Sequence, residues 1–235
     1  MPHVELNIDL GELPGEADEL YALATVVNVA CGGHAGDRDS MRRSVALALQ
    51  NGTRIAAHPS YPDREQFGRA RMAIPLSALY ESIVDQVDTL VRVVRESGAR
   101  LWGAKPHGAL YHAAAEDAGL AAAFLDAVVA TWPDGVTIVG PPEGHLADES
   151  KARELSYARE GFADRRYAPD GKVVPRSEPH PLVEDPELAA AQAVSLARAG
   201  NLETLCVHGD TPNAVLIARA VRRALESESL LRVAR

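Results

Sequence analysis

The sequence predicts an α/β protein, a seven-stranded parallel β/α barrel of the TIM-like kind, formed as a single domain over residues 1–235. Three observations predict it. Seven short β-rich runs alternate with helical patterns from end to end. Several of those runs are almost wholly apolar, as parallel strands covered on both faces must be. Residues able to do chemistry gather just after the runs, at the end where parallel β/α folds build their sites. An open doubly wound sheet is the alternative, and periodicity alone does not decide between the two.

In chain order the strand candidates are VELNID, VVNVAC, RIAAH, RLWGAK, VTIVG, ELSYA and TLCVH. Between the second and third, Met41, Val45 and Leu49 form a helical stripe, with Asp39 as the expected cap and Gly52 as the stop. Leu79, Ile83, Val87, Leu90 and Val94 recur at spacings of three and four, between Ser77 as expected cap and Gly98 just past the end. Further helices are predicted over 118–129 and 186–199. The last helix opens at TPNA, with Thr211 as expected cap and Pro212 at the first helical position, and carries Ile217, Val221 and Leu225. The stretch 161–184 reads as a long functional loop with a small hairpin around Gly171. No linker divides the chain.

Composition excludes several classes. A formal net charge of -9 argues against a nucleic-acid binder, which normally shows a basic stripe. The Arg42–Arg43 and Arg222–Arg223 pairs lie on amphipathic helical patterns and read as solvated faces. The acidic start MPHVELNIDLGE lacks the basic and apolar regions of a signal peptide, and no apolar run reaches membrane-span length, so the expected location is cytoplasmic. Cys31 and Cys206 make no disulfide framework and are expected to be small buried residues. No GxxxxGK[ST] loop, no GxGxxG and no HEXXH occur, nor is there an HxH pair after the first strand.

Asn7, Asp9 and Glu12 attend the first strand; Cys31, His34 and Asp37 follow the second. The third ends on His58 and runs into Asp63 and Arg69; the fourth leads to Lys105 and His107. Glu143 and His145 follow the fifth, Glu160, Asp164 and Arg165 the sixth, and His208 and Asp210 close the seventh. Five of the eight histidines thus fall at strand ends, whereas His3, His112 and His180 do not. A lone histidine there is usually structural; repetition at successive strand ends makes His34, His58, His107 and His208 functional candidates. Lys105 is costly to bury unpaired, which predicts a carboxylate partner or an anionic substrate. The candidate catalytic set is Asp9, Glu12, His34, His58, Lys105, His107, His208 and Asp210; Asn7, Asn28, Asp37, Asp63, Arg69 and Arg165 are the candidate substrate contacts. These residue types are able to bind a divalent ion, but their spacing does not demand one.

NIDLGE, VNVACGGHAGD, AAHPSYPD with FGR, KPHGALY, FADRRY and CVHGDTPNA resemble, in order and approximate spacing, the LamB/YcsF family. The resemblance runs from Asn7 to about Ala214; Ile8 stands where the family usually has a cysteine. It implies a deacetylase-like seven-stranded barrel and the ATP-dependent opening of 5-oxo-L-proline to L-glutamate in a complex with subunits B and C. ATP is then expected to be handled mainly by the partners, since this chain lacks a phosphate loop. Under that reading Asp9 or a histidine is the expected base, Lys105 with a nearby imidazole the expected oxyanion contact, and Arg69 the expected partner of the substrate carboxylate. Two rival readings are a metal-dependent deacetylase-like hydrolase with Asp9, His34 and His58 as ligands, and a non-catalytic lactam- or sugar-binding subunit. Self-association is left open.

Overall fold

The computed structural model describes residues 3–232, so the outermost ends of the predicted 1–235 domain, residues 1–2 and 233–235, lie outside the described residues. The chain runs β1 (Glu5–Leu10), α1 (Glu19–Leu23), β2 (Val26–Ala30), α2 (Arg38–Gln50), β3 (Arg54–His58), α3 (Leu76–Glu96), β4 (Leu101–Ala104) and α4 (Gly108–Glu116). It continues through α5 (Ala118–Thr131), β5 (Thr137–Gly140), α6 (His145–Ala152), β6 (Ser156–Phe162), α7 (Pro186–Ala199), β7 (Thr204–His208) and α8 (Ala214–Ser227). Every neighbouring strand pair is parallel, and β7 pairs with β1, so the seven strands close a barrel in sequence order. Closure decides against the open sheet.

β1 shows how the barrel divides its two faces. All six of its residues are buried, yet Glu5, Asn7 and Asp9 alternate with Leu6, Ile8 and Leu10. The leucines and Ile8 join the apolar layer under the helices, with Val45, Val87 and Ile217. The polar residues point into the lumen, where Asn7 meets Glu160 and Thr204. Glu5 ion-pairs with Arg54 at 2.5 Å. The centre of this barrel is therefore a polar stack, and the apolar core lies outside it.

Several helix starts differ from expectation. Asp37, not Asp39, caps α2, because its carboxylate accepts from the backbone of Asp39 and Ser40 while Ser40 Oγ accepts from Asp37 N in return. Leu49 in that helix is 46 % exposed, and Ala48 takes the buried position. Pro75 precedes α3, which leaves Ser77 inside the first turn. Asn213, in the left-handed region at φ 64, precedes α8; the Thr211 hydroxyl is committed elsewhere, to Asp164 at 2.6 Å. β6 runs on to Phe162, so the irregular stretch starts after that residue. Antiparallel bridges Arg165–Leu182 and Tyr167–Val173 then form the small hairpin around Gly171. Among the described residues no helix is long and apolar enough to cross a membrane.

Candidate active site at the C-terminal mouth of the barrel

Register brings the first residues together. Asp9 lies opposite Asn28 of β2 on one side and His208 of β7 on the other. Across the lumen, Lys105 Nζ donates to both Asp9 oxygens, at 2.9 and 3.1 Å, and lies 3.0 Å from Glu160 Oε1. It also contacts Cys206 Sγ at 3.1 Å and Asn7 Oδ1 at 3.4 Å. Asn28 Nδ2 donates to Asn7 and Asp9 at 2.6 and 2.7 Å. Burial raises the Asp9 carboxyl, but Lys105 and His58 outweigh it and hold the pKa well below the usual range. The same carboxylates keep Lys105 firmly charged. Its expected carboxylate partner is thus present. Lys105 is 2 % exposed, and its protons are turned to Asp9, Glu160 and Cys206.

A second cluster gathers on Glu12. Its Oε1 lies 3.0 Å from His34 Nε2, 3.3 Å from His107 Nδ1 and 3.7 Å from His58 Nε2. Two of the rings are oriented by backbone carbonyls, which only accept: His58 Nδ1 donates to Lys105 O and His107 Nε2 donates to Phe67 O, both at 2.9 Å. His58 Nε2 and His107 Nδ1 then face each other at 3.0 Å. His34 stacks on His107 at 3.6 Å between centroids, and its Nδ1 has no partner among the described residues. Histidine contacts hold the Glu12 carboxyl well down against its burial. Burial pushes His107 down to about 3 and lowers His34, whereas Asp9 raises His58.

The opening motif of this wall, KPHG, needs its glycine. Gly108 sits at φ +56, and a Cβ there would lie 2.6 Å from Gly68 O, the oxygen that accepts from Ala109 N. The close approach of these two loops sets the His107 ring against Phe67.

Towards solvent the site changes character. His208 Nδ1 faces both Asp164 oxygens at 3.0 and 3.1 Å, and His208 N donates to Oδ2 at 2.9 Å. Asp164 is fully buried, and His208 with Thr211 holds its pKa down against burial. The imidazole stacks on Phe162, and Nε2 is directed towards Asp9 Oδ2, 3.9 Å away. At 12 % side-chain exposure it is the site histidine most open to solvent. Beside it Arg69 ion-pairs with Asp210, and Arg176 Nη2 lies 3.4 Å from the other Asp210 oxygen. Arg165 Nη2 donates to Val174 O at 2.6 Å, while its buried Nε has no partner among the described residues. Burial and Arg176 lower the Arg165 pKa to about 10.

The structure thus brings together Asn7, Asp9, Glu12, Asn28, His34, His58, Lys105, His107 and His208, with Asp210, Arg69 and Arg165 at the rim. Two expected substrate contacts do not join them. Exposed Asp37 caps α2, and Asp63 holds its own turn by accepting from Gln66 N at 3.1 Å and, through its carbonyl, from Gly68 N at 2.7 Å. His145 is exposed at the start of α6. Glu160 and Asp164 are visible in the sequence only as polar residues after the sixth run; no spacing signal marks them as partners of Lys105 and His208. Both cysteines are free and buried, and burial keeps the thiols protonated, Cys31 at about 12. Two donor sets with metal-ligand atoms within 4.8 Å are present, Glu12–His34–His107 and Asp9–Cys206–His208. A hollow of about 330 Å³ lies beside the mouth and shares Gly209 and Thr211 with it, but the buried histidines line none of it. We place the chemistry by the polar cluster, because catalysis requires convergent charged groups and not empty volume.

The pH dependence of stability follows from the histidines. A neutral imidazole whose folded pKa is depressed stabilises the fold above its unfolded value and loses that contribution as pH falls towards the folded one. For His107 the window runs from 6.5 down to about 3. His58, raised, contributes fully below its unfolded value and so adds no slope there. Chelator-treated protein is therefore expected to lose stability from about pH 6.5 downwards, before ordinary carboxylates titrate. Urea unfolding at half-unit pH steps checks this. A flat profile from pH 6.5 to 5, or an unchanged slope in His107→Gln, would refute it.

Known proteins resemble this chain over nearly its whole length. The LamB/YcsF family profile matches residues 4–234. A relative from Methylococcus capsulatus, named as the A subunit of 5-oxoprolinase, is 41% identical over 97% of this chain and 94% of its own. One of the same name from Bordetella pertussis is 39% identical over 97% of both. The crystal structure of a lactam utilization protein from Thermus thermophilus superposes with a TM-score of 0.90 at 34% identity, covering 99% of this chain and 100% of that one. A family 4 carbohydrate esterase from Streptomyces lividans, at 12% identity and a TM-score of 0.55 over 98% of this chain and 91% of that one, shares the fold alone. With a family profile spanning nearly its whole length and a shared barrel, this chain belongs to the LamB/YcsF family.

Proposed function

We propose that this chain is the A subunit of a 5-oxoprolinase and opens the lactam 5-oxo-L-proline to L-glutamate together with partner subunits B and C. The observation that carries the reading is the near-complete match to relatives of that name, joined to a mouth suited to an anionic amide. The guanidinium groups of Arg69 and Arg176 share one carboxylate, Asp210, with Arg165 near both, and so leave positive charge for a substrate carboxylate. The unpartnered Arg165 Nε is the donor best placed to receive it.

His208 is the base in this reading. With Nδ1–H directed to Asp164, its Nε2 carries the lone pair and takes a proton from water, which adds to the lactam carbonyl carbon. Asp9, fixed by Lys105 and Asn28, stabilises the imidazolium so formed. An unstrained lactam recloses easily, which is why opening is coupled to ATP. Transfer of the γ-phosphoryl group to the carbonyl oxygen lets the first water break the C–N bond and leave a γ-glutamyl phosphate. A second water then releases phosphate. The nucleotide is handled by the partners, since the sequence has no phosphate loop.

The test is glutamate release from 5-oxo-L-proline by the chain reconstituted with subunits B and C, with and without ATP. No release, or release without this chain, overturns the reading. In the same assay Arg165→Ala is expected to raise KM about 10–100-fold with a smaller change in kcat, since a hydrogen bond to a charged group is worth about 1.5–3 kcal/mol. An unchanged KM removes Arg165 from substrate binding.

A further inference from the structure

We propose that Glu12, His34, His58 and His107 hold one divalent transition-metal ion of the zinc type. The argument starts from hydrogen bonds. His58 and His107 each spend one ring nitrogen donating to a backbone carbonyl, Lys105 O and Phe67 O. That arrangement orients a metal-binding imidazole and leaves its other nitrogen bare. The two bare nitrogens meet at 3.0 Å with the ring planes at 86°, and Glu12 Oε1 lies 3.3 Å from one and 3.7 Å from the other. His34 Nε2 approaches the same oxygen at 3.0 Å. Ligands around a tetrahedral zinc with bonds of about 2.0–2.1 Å stand about 3.3 Å apart. The observed separations bracket that edge.

Protons alone leave a conflict. A proton on His58 Nε2 satisfies that pair but leaves the bare His107 nitrogen facing the Glu12 carboxylate at 3.3 Å, and a proton on His107 Nδ1 leaves the bare His58 nitrogen facing Asp9 Oδ2 at 3.4 Å. Protonating both facing nitrogens would make two imidazolium ions among buried rings. A divalent ion satisfies all the facing lone pairs together. It also answers the charge of the cluster, in which Asp9, Glu12, Glu160 and Asp164 are all buried while Lys105 is the buried ammonium. One ring must turn to take part, because His34 and His107 lie parallel at 2° and cannot both aim at one point between them. His34 is the ring that can turn, since its Nδ1 is held by no partner among the described residues.

The Asp9–Cys206–His208 set is the weaker candidate. Lys105 Nζ stands 2.9 Å from Asp9 and 3.1 Å from Cys206, so a cation there would face an ammonium. Three imidazoles and a carboxylate suit zinc, cobalt or nickel better than magnesium or calcium. The ligand set also differs from the Asp9–His34–His58 set expected from the sequence: Asp9 is taken by Lys105, and Glu12 stands in its place.

The test does not depend on the lactam reading, because its readout is metal. The full chain is purified, stripped with a chelator, and titrated with zinc alone and with cobalt(II) alone. About one equivalent is expected to bind, with a tetrahedral cobalt ligand-field band and a raised melting temperature. His34→Gln and His107→Gln are each expected to weaken zinc binding at least ~100-fold and to abolish the cobalt band, while the surface variant His180→Ala keeps both. Circular dichroism of the stripped variants separates loss of ligand from loss of fold. Binding of far less than one equivalent, a cobalt spectrum of octahedral aquo type, or unchanged affinity in folded His107→Gln overturns the proposal and leaves a shared proton in the cluster.

Discussion

Lys105→Met is expected to destabilise the protein by about 3–5 kcal/mol and to abolish glutamate release by the reconstituted complex. The ammonium stands between Asp9 and Glu160, and all three side chains are buried in the lumen. Methionine keeps the stem and its packing but leaves two buried carboxylates without their cation. They must then protonate or draw in water, and either response moves Asp9 away from His208. Urea unfolding and the coupled assay measure the two losses. The double variant Lys105→Met/Asp9→Asn provides the control, since removing the uncompensated charge restores part of the stability without restoring activity. A loss below about 1 kcal/mol in the single variant would show that Lys105 is not the counter-ion of the lumen.

Asp164→Asn is expected to lower kcat about 10²–10⁴-fold while the fold persists. The amide fits the carboxylate's place and retains an oxygen for the hydroxyl of Thr211 and the backbone of His208. It no longer fixes the His208 proton on Nδ1, so the bare nitrogen need not face the mouth. His208→Gln is expected to cost about as much, and the double variant no more than either alone, because base and orienting group act as one unit. The pH–rate profile distinguishes this from structural damage: the acidic limb, on which protonating the base stops turnover, shifts or disappears in Asp164→Asn. Near-normal kcat in both single variants would move the base elsewhere, with Asp9 the next group in line.

All seven strands are legible in the sequence because their outward residues, such as Leu6, Ile8, Val27, Val29, Leu205 and Val207, must meet the helix layer. The long helices are legible from apolar stripes at helical spacing. Short α1 and α6 lack the length for such a stripe, and Ala-rich α4 has no polar face to contrast with it. The sixth run reads as ending at Ala158 because the charged Arg159 and Glu160 interrupt its apolar pattern. In the barrel Arg159 pairs with Glu203 and Glu160 points into the polar lumen. The helix caps differ for a similar reason. Asp37, Asp39 and Ser40 are all good cappers, and only the reciprocal Asp37–Ser40 pairing singles out the first. Thr211 has the chemistry of a cap, but it serves a residue 47 positions away.

The amino-acid order by itself determined seven parallel-type strands alternating with helices and the strand ends at which reactive groups collect, since alternation, helical spacing and strand-end placement are local properties of the chain; that the sheet closes into a barrel came from the tertiary structure. Only the tertiary structure decided how those groups divide: Lys105 with Asp9 and Glu160, Glu12 with three histidines, His208 with Asp164. Which charges become neighbours depends on barrel closure and inter-strand register, and electrostatic roles in a buried lumen are set by separations of a few ångströms that no sequence spacing encodes.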